Sequence, residues 1–259
     1  MQSEVNPLLA ITGLAFLFAA LVVIFFFYRD RYEREPSLKI VKMFIWGCFS
    51  TIPALIINTA ALLLFALLFP IGNDPELIVA QMLLAVMVAP ITEETFKGIP
   101  VLRMQRDPEM YGMMDGLVYG AVCGAGFAFI ENILYGLNIL SEIYALYGTI
   151  ILAPALILTA FRSVMMPAGH SLYTGWFGSE VGKEKTPYGG SPLKGFIIAV
   201  ILHTIWNGMA SALSIVLPEE LAILSWVFVL GTLAVYYILL WWRMNTALAI
   251  EKPNRSKTH

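Results

Sequence analysis

The chain has 259 residues, of which 59% are apolar and 13% charged, with a formal net charge of -2 and a mean hydropathy of +0.76. A soluble domain carries about 25% charged residues, so the composition excludes a soluble globular enzyme and a disordered regulator. It also excludes a dedicated nucleic-acid-binding protein, because there is no basic domain. Cys48 and Cys123 lie in apolar runs without metal-ligand spacing, and we interpret them as small core residues.

Seven apolar runs are long enough to cross a hydrocarbon core about 30 Å thick. In chain order they cover residues 8–27, 43–69, 77–102, 116–135, 158–182, 195–217 and 221–242. We therefore predict an all-α fold, a polytopic transmembrane helix bundle of about seven spans. The first run lacks the basic start and small-residue cleavage site of a secretory signal, which favours a retained helix.

The distribution of Lys and Arg predicts the orientation of the spans. With seven spans, fifteen of the sixteen Lys and Arg residues fall on one side, in residues 28–42, 97–111, 183–194 and 243–259, and only Arg162 is left over. The positive-inside rule then puts the N-terminus outside and the C-terminus in the cytoplasm. An eighth span at 143–161 is the alternative, but it would move the basic C-terminus outside. We therefore predict an outer loop at 136–157 with an apolar, interfacial or re-entrant segment broken at Pro154.

The domain organisation follows from the absence of repeats and linkers. Residues 1–242 are predicted to form a single transmembrane helical domain that carries the site. Residues 243–259 are predicted to form a short, basic cytoplasmic tail, solvated and close to anionic lipid.

Polar residues interrupt four of the apolar runs. They are Glu93, Glu94 and Lys97 in the third run, Glu131 and Asn132 in the fourth, His170 in the fifth, and His203 and Asn207 in the sixth. A charged side chain near the bilayer centre costs roughly 2.5 to 3.5 kcal/mol, so several of them require a cation, a proton or a water-filled cavity. Taken singly, a histidine can form a hydrogen bond that holds two membrane helices together. Glu93 and Lys97 can be an i, i+4 ion pair whose charges cancel. Taken together, these residues predict one common site.

Helical spacing predicts that Glu131 points into a helix interface. Gly112, Gly116, Gly120 and Gly124 recur every four residues, the pattern that lets helix backbones approach closely. Glu131 lies seven residues past Gly124 and returns to the same face. The glycine run itself indicates packing more than chemistry.

Imidazole nitrogens and carboxylate oxygens are ligands of a zinc-like divalent ion, which leaves one position for an activated water. A spare carboxylate of the Glu93 and Glu94 pair can then act as the base. Asn207, one turn from His203, suits donation to an oxyanion. The set favours hydrolysis of a peptide bond, and a metal-free version, in which a glutamate activates water and the histidines hold the tetrahedral intermediate, stays open.

Four short motifs carry a resemblance to a known family. They are EExxK at 93–97, GFAxxEN at 126–132, PxGHxLxTGxxG around His170 and HxxWN at 203–207. Together and in this order they resemble the PrsW family of intramembrane proteases. The resemblance implies a multi-pass peptidase of the cell membrane, commonly classed as a metalloprotease and related to the CAAX prenyl endopeptidase and bacteriocin-processing superfamily. It also implies membrane-anchored substrates such as anti-sigma factors.

Carried over by position, the resemblance makes Glu93 and Glu94 the catalytic pair and Glu131, His170 and His203 further active-site or metal-binding groups. We assign these last three residues to metal binding. We place Asn207 with the catalytic residues, and Lys97 and Asn132 in supporting roles. The prenyl endopeptidases have a histidine where this chain has Glu131, so their specificity is not transferred.

Two other functions use the same buried residues. A transporter or proton-coupled channel would relay ions along Glu93, Glu131 and His170. A catalytically silent scaffold would keep the polar site for ligand binding. The sequence favours the protease.

Overall fold

The computed structural model describes residues 6–30, 34–69, 75–212 and 222–255, and within these ranges the regular structure is helical throughout. The helices are α1 (Pro7–Arg29), α2 (Ser37–Leu68), α3 (Pro75–Met104), α4 (Met113–Tyr147), α5 (Leu152–Lys183), α6 (Pro192–Asn207) and α7 (Ala222–Arg255), with a π-helical turn at Gly208–Ala212 after α6. Seven helices of the described part are long and apolar enough to cross a membrane. This confirms the predicted all-α bundle of seven spans.

The predicted outer loop at 136–157 is wrong. α4 continues to its end at Tyr147, and α5 already begins at Leu152, so only a short turn at Gly148 (φ 67°) separates them. Pro154 does not break a helix, because it is the third residue of α5, where a backbone N–H has no partner within the helix. The apolar residues that suggested an eighth span therefore lengthen two existing helices.

The first turns of the expected tail, 243–259, also differ from a solvated segment, because α7 continues through them. Arg243 is buried and forms an ion pair with Glu180. The carboxylate of Glu251, also buried, accepts a hydrogen bond of 2.7 Å from the backbone N–H of Met114 at the start of α4. The described part of this segment thus packs against the bundle.

The helix pair α4 and α5 forms the centre of the fold. Every α4 residue from 113 to 128 is buried, and α4 contacts α1, α2, α3, α5 and α7. Gly112, directly before α4, and the α4 glycines Gly116, Gly120 and Gly124 lie against the backbones of Gly182, Gly178, Thr174 and His170 on α5, respectively. A Cβ atom on Gly116 would overlap the carbonyl oxygen of Gly178. This confirms the close packing predicted from the four-residue spacing.

A second glycine face fixes α2 against the other side of α4. Added Cβ atoms at Gly47 and Gly126 would overlap the backbone carbonyls of Cys123 and Phe44 respectively. The glycine of the GFAxxEN motif therefore allows two helices to touch. The same helix α4 presents its next turn, with Glu131, toward α5.

Candidate active site

Glu94 on α3 is the most highly connected carboxylate of the site. Its Oε1 accepts a hydrogen bond of 2.5 Å from Nζ of Lys97 and lies 2.9 Å from Nδ1 of His203, and its Oε2 accepts one of 2.9 Å from the hydroxyl of Thr174. All four side chains are buried. Glu94 and Lys97 are three residues apart and share a face of α3, so the helix itself brings the pair together. The buried ammonium offsets the buried carboxylate.

His170 on α5 connects Lys97 with Glu131 on α4. Its Nδ1 lies 2.8 Å from Nζ of Lys97, and its Nε2 lies 2.9 Å from Oε2 of Glu131. Because an ammonium only donates, Nδ1 is the acceptor, and Nε2–H donates to the carboxylate. The ring of Phe127 lies 4.4 Å from Nζ of Lys97 and 5.2 Å from the imidazole ring, so it covers both groups.

Glu93 and His203 leave an open position between them. Oε2 of Glu93 is buried and has no hydrogen-bond partner among the residues that the structure describes. It lies 3.7 Å from Nε2 of His203. Since a carboxylate only accepts, Nδ1–H of His203 donates to Glu94, and the neutral ring turns the lone pair of Nε2 toward Glu93. An oxygen and a nitrogen with free lone pairs therefore face each other at more than hydrogen-bond distance.

These residues fit a divalent metal ion. One ligand atom from each of Glu93, His170 and His203 lies within 4.8 Å of the other two. Carboxylate oxygens and imidazole nitrogens bind zinc at about 2.0 to 2.2 Å, so an ion among three such atoms is compatible with this spacing. Glu131 contacts His170 but is not part of this group. The structure therefore favours Glu93 over Glu131 as the carboxylate of the group that can hold a metal.

The structure brings together six of the eight residues singled out in the sequence. They are Glu93, Glu94, Lys97, Glu131, His170 and His203. Asn132 is buried, and neither atom of its amide has a hydrogen-bond partner within the described ranges. Asn207 ends α6, one turn after His203 and directly before the π-helical turn. The roles of these two asparagines stay predictions.

Four site residues were missed by the sequence analysis. Thr174, Tyr173 and Phe127 lie inside the quoted motifs, but spacing alone does not show what they touch. The ring of Tyr173 stacks on His203 with centroids 4.8 Å apart. Arg162 forms an ion pair of 2.8 Å with Oε1 of Glu131. The sequence pattern that could have identified Arg162 is its position as the one Lys or Arg residue outside the four basic segments.

The fold and this site define a class of protein, a multi-pass membrane protein with a buried carboxylate and histidine centre. Residues 35–244 match the model of a family described as PrsW family intramembrane metalloprotease. The chain belongs to this family, and it is accordingly a membrane-embedded protease.

Curated relatives carry the same assignment at low identity. The chain is 25% identical over 231 residues to Protease PrsW of Clostridioides difficile (strain 630). The aligned residues cover 88% of this chain and 85% of the relative. The chain is 26% identical over 219 residues to Protease PrsW of Oceanobacillus iheyensis. That alignment covers 82% of this chain and 89% of the relative. Protease PrsW of Geobacillus kaustophilus (strain HTA426) is 23% identical over 237 residues, with 90% and 86% covered. No solved structure matches significantly.

Proposed function

We propose that the chain hydrolyses peptide bonds of membrane-anchored protein substrates with a water molecule activated by glutamate and a zinc-like divalent ion. The observation that carries this proposal is the connected cluster of three carboxylates, two imidazoles and one ammonium from four helices, in which every side chain but that of Glu131 is buried. Single interhelical contacts account for isolated polar residues in a membrane, but they do not account for such a cluster. The proposed substrate resembles an anti-sigma factor, a regulator held in the membrane.

In this proposal Glu93, His170 and His203 would hold the ion, and a bound divalent ion would supply Lewis-acid chemistry toward water and the peptide carbonyl. The ligand set differs from the one assigned from the sequence, in which Glu131 takes the place of Glu93. The Nε2 atom of His203 is available as a metal ligand, because the hydrogen bond from Nδ1–H to Glu94 fixes the tautomer in which Nε2 carries the lone pair. His170 would exchange one of its present contacts, to Lys97 or to Glu131, for the ion.

The carboxylate proposed to move protons is Glu131. Its side chain is 28% exposed, against 9% for Glu93 and 2% for Glu94, so it is the least enclosed of the three. It accepts a proton from the water whose oxygen adds to the peptide carbonyl carbon. The carbon–nitrogen bond then breaks as the same proton is delivered to the leaving nitrogen, which yields a carboxylic acid and an amine.

The remaining polar groups stabilise this reaction. Lys97 balances the negative charge of Glu94 within the bilayer, and Thr174 fixes the orientation of the same carboxylate. Asn207 is assigned the role of donor to the oxyanion that develops on the attacked carbonyl. Asn132 is assigned a supporting role behind Glu131.

The metal role of Glu93 is tested by an isosteric change. We expect Glu93→Gln to lower metal affinity on the order of 100-fold or more, because a neutral amide is a much poorer ligand than a carboxylate. Purified protein is reconstituted in vesicles with a membrane-anchored reporter, and bound metal and cleavage are both measured. The matched control is Glu142→Gln, since Glu142 lies exposed on α4 with Asn138 as its partner and should keep wild-type values.

Retention of full metal content by Glu93→Gln would remove Glu93 from the ligand set. Ion flux through wild-type vesicles without any cleavage would favour the transporter over the protease.

A further inference from the structure

A cavity of about 330 Å³ lies beside the site, among α4, α5, α6 and α7. Its walls are aromatic, aliphatic and thioether side chains, among them Tyr135, Leu158, Met166, Trp206 and Trp226. Arg162 is the one charged side chain among the described residues that line it. The volume is at the lower end of the range of small-ligand pockets, and one large side chain with its backbone fits it.

Arg162 joins the cavity to the proposed catalytic residues. Its Nη2 contacts Oε1 of Glu131 at 2.8 Å, and Oε2 of the same carboxylate contacts His170 at 2.9 Å. The guanidinium group also lies 4.8 Å from the ring centroid of Tyr135, which fixes its plane. A group bound in the cavity is thus separated from the proposed proton acceptor by a single side chain.

Arg162 retains an unused hydrogen-bond donor. Its Nε atom is buried and has no hydrogen-bond partner within the part of the chain that the structure describes. A guanidinium group offers five N–H donors in a fixed plane, so the ion pair with Glu131 leaves donors for a ligand. A buried donor without a partner is costly. The Arg162 side chain lines the cavity and is 23% exposed, so its N–H groups beyond the one paired with Glu131 are the donors available to a ligand.

The charge of the pair decides which acceptor fits. Glu131 already neutralises Arg162, so a second anion would bring an uncompensated negative charge into the bilayer. A neutral carbonyl oxygen brings none. A membrane helix that is unwound for cleavage exposes main-chain carbonyls that find no water in the lipid, and these need donors from the protein.

We infer that this cavity is a substrate subsite, which takes a large apolar side chain next to the scissile bond while Arg162 donates a hydrogen bond to the main-chain carbonyl of the same segment. The inference rests on the proposed protease function and names the part of the substrate that this site selects.

The size of the cavity is tested on α5. Leu158 lines the cavity, whereas its neighbour Ile157 does not and is 68% exposed on the outer surface of the helix. Leu158→Trp fills the cavity, Leu158→Ala enlarges it, and Ile157→Trp is the matched control. The probes are single-span reporter proteins that differ only in Ala, Leu, Phe or Trp at the positions flanking the bond that the wild-type protein cleaves.

We expect the wild-type protein to prefer Leu and Phe, and we expect Leu158→Trp to lower the Phe to Ala ratio of kcat/KM about 10-fold or more. Leu158→Ala should raise the relative cleavage of the Trp reporter, and Ile157→Trp should leave the order of the reporters unchanged. Equal losses on all reporters, or the same result for Leu158→Trp and Ile157→Trp, overturn the subsite while the protease function stands. Cleavage of no reporter by the wild-type protein overturns both.

The donor role of Arg162 has its own test. Arg162→Lys keeps the positive charge beside Glu131 but lacks the planar set of five N–H donors, so we expect KM for the reporters to rise about 10-fold, with the loss falling on KM more than on kcat. If the Arg162→Lys variant has the KM of the wild-type protein, Arg162 acts through its charge alone and the proposed contact to the substrate carbonyl is wrong. A loss confined to kcat also overturns it.

Discussion

Glu94→Gln is expected to lower kcat/KM on the order of 1,000-fold while the protein stays folded, because the loss falls on the charged transition state. The carboxylate holds Nδ1 of His203, balances the ammonium of Lys97 and accepts from Thr174. A glutamine of the same shape has no charge to offset Lys97. If its carbonyl oxygen keeps the contacts to Lys97 and His203, its NH₂ group faces Thr174, whose hydroxyl must then accept instead of donate. Cleavage of a membrane-anchored reporter is measured beside size-exclusion chromatography of the purified variant.

A second variant separates charge from packing at this position. Thr174→Val removes one of the hydrogen bonds to Glu94 but leaves its charge, so we expect a loss of only about 10-fold. Unchanged cleavage by a folded Glu94→Gln protein would remove the residue from the mechanism. An equal loss in both variants would show that the hydrogen bond from Thr174, and not the charge, is what matters.

Gly116→Ala is expected to destabilise the bundle strongly. The added Cβ atom would overlap the carbonyl oxygen of Gly178, a backbone atom that cannot rotate away. Overpacking of this kind typically costs about 1 to 3 kcal/mol of the free energy of unfolding. Thermal or denaturant unfolding in detergent measures the loss.

Gly13→Ala on α1 is the matched control, because an added Cβ atom there meets nothing within 4 Å. The same change in an open helix position removes the backbone entropy cost of glycine, so stability should be unchanged or rise by about 0.5 to 1 kcal/mol. Equal stability of the two variants would contradict the tight backbone contact between α4 and α5.

The number of spans was predictable from the sequence, but their ends were not. Lipid requires an apolar run of minimum length, and seven such runs are visible by hydropathy. Nothing sets a maximum length for a helix. α4 has 35 residues, which correspond to about 52 Å at 1.5 Å per residue, well beyond the hydrocarbon thickness. Its apolar last turns were therefore misread as an interfacial loop.

The members of the site were predictable because polar residues are exceptional inside a membrane, but their pairing was not. The rotation of α5 against α4 decides that Glu131 meets both His170 and Arg162, and this rotation depends on which glycines face each other. Sequence spacing likewise does not show that Glu93, and not Glu131, shares a ligand group with the histidines. Arg162 was visible only as a basic residue on the unexpected side.

The contact between α4 and α5 differs in kind from the contact between α6 and α7. The first joins backbone to backbone through glycines, so no change of side-chain conformation can loosen it. The second runs through side chains: the hydroxyl of Tyr236 donates to the carbonyl of Leu202, and its ring lies 6.1 Å from that of Trp206. Rotamer changes alone would part this second pair. The sixth and seventh helices can therefore separate at lower cost than the central pair, which serves as the rigid frame.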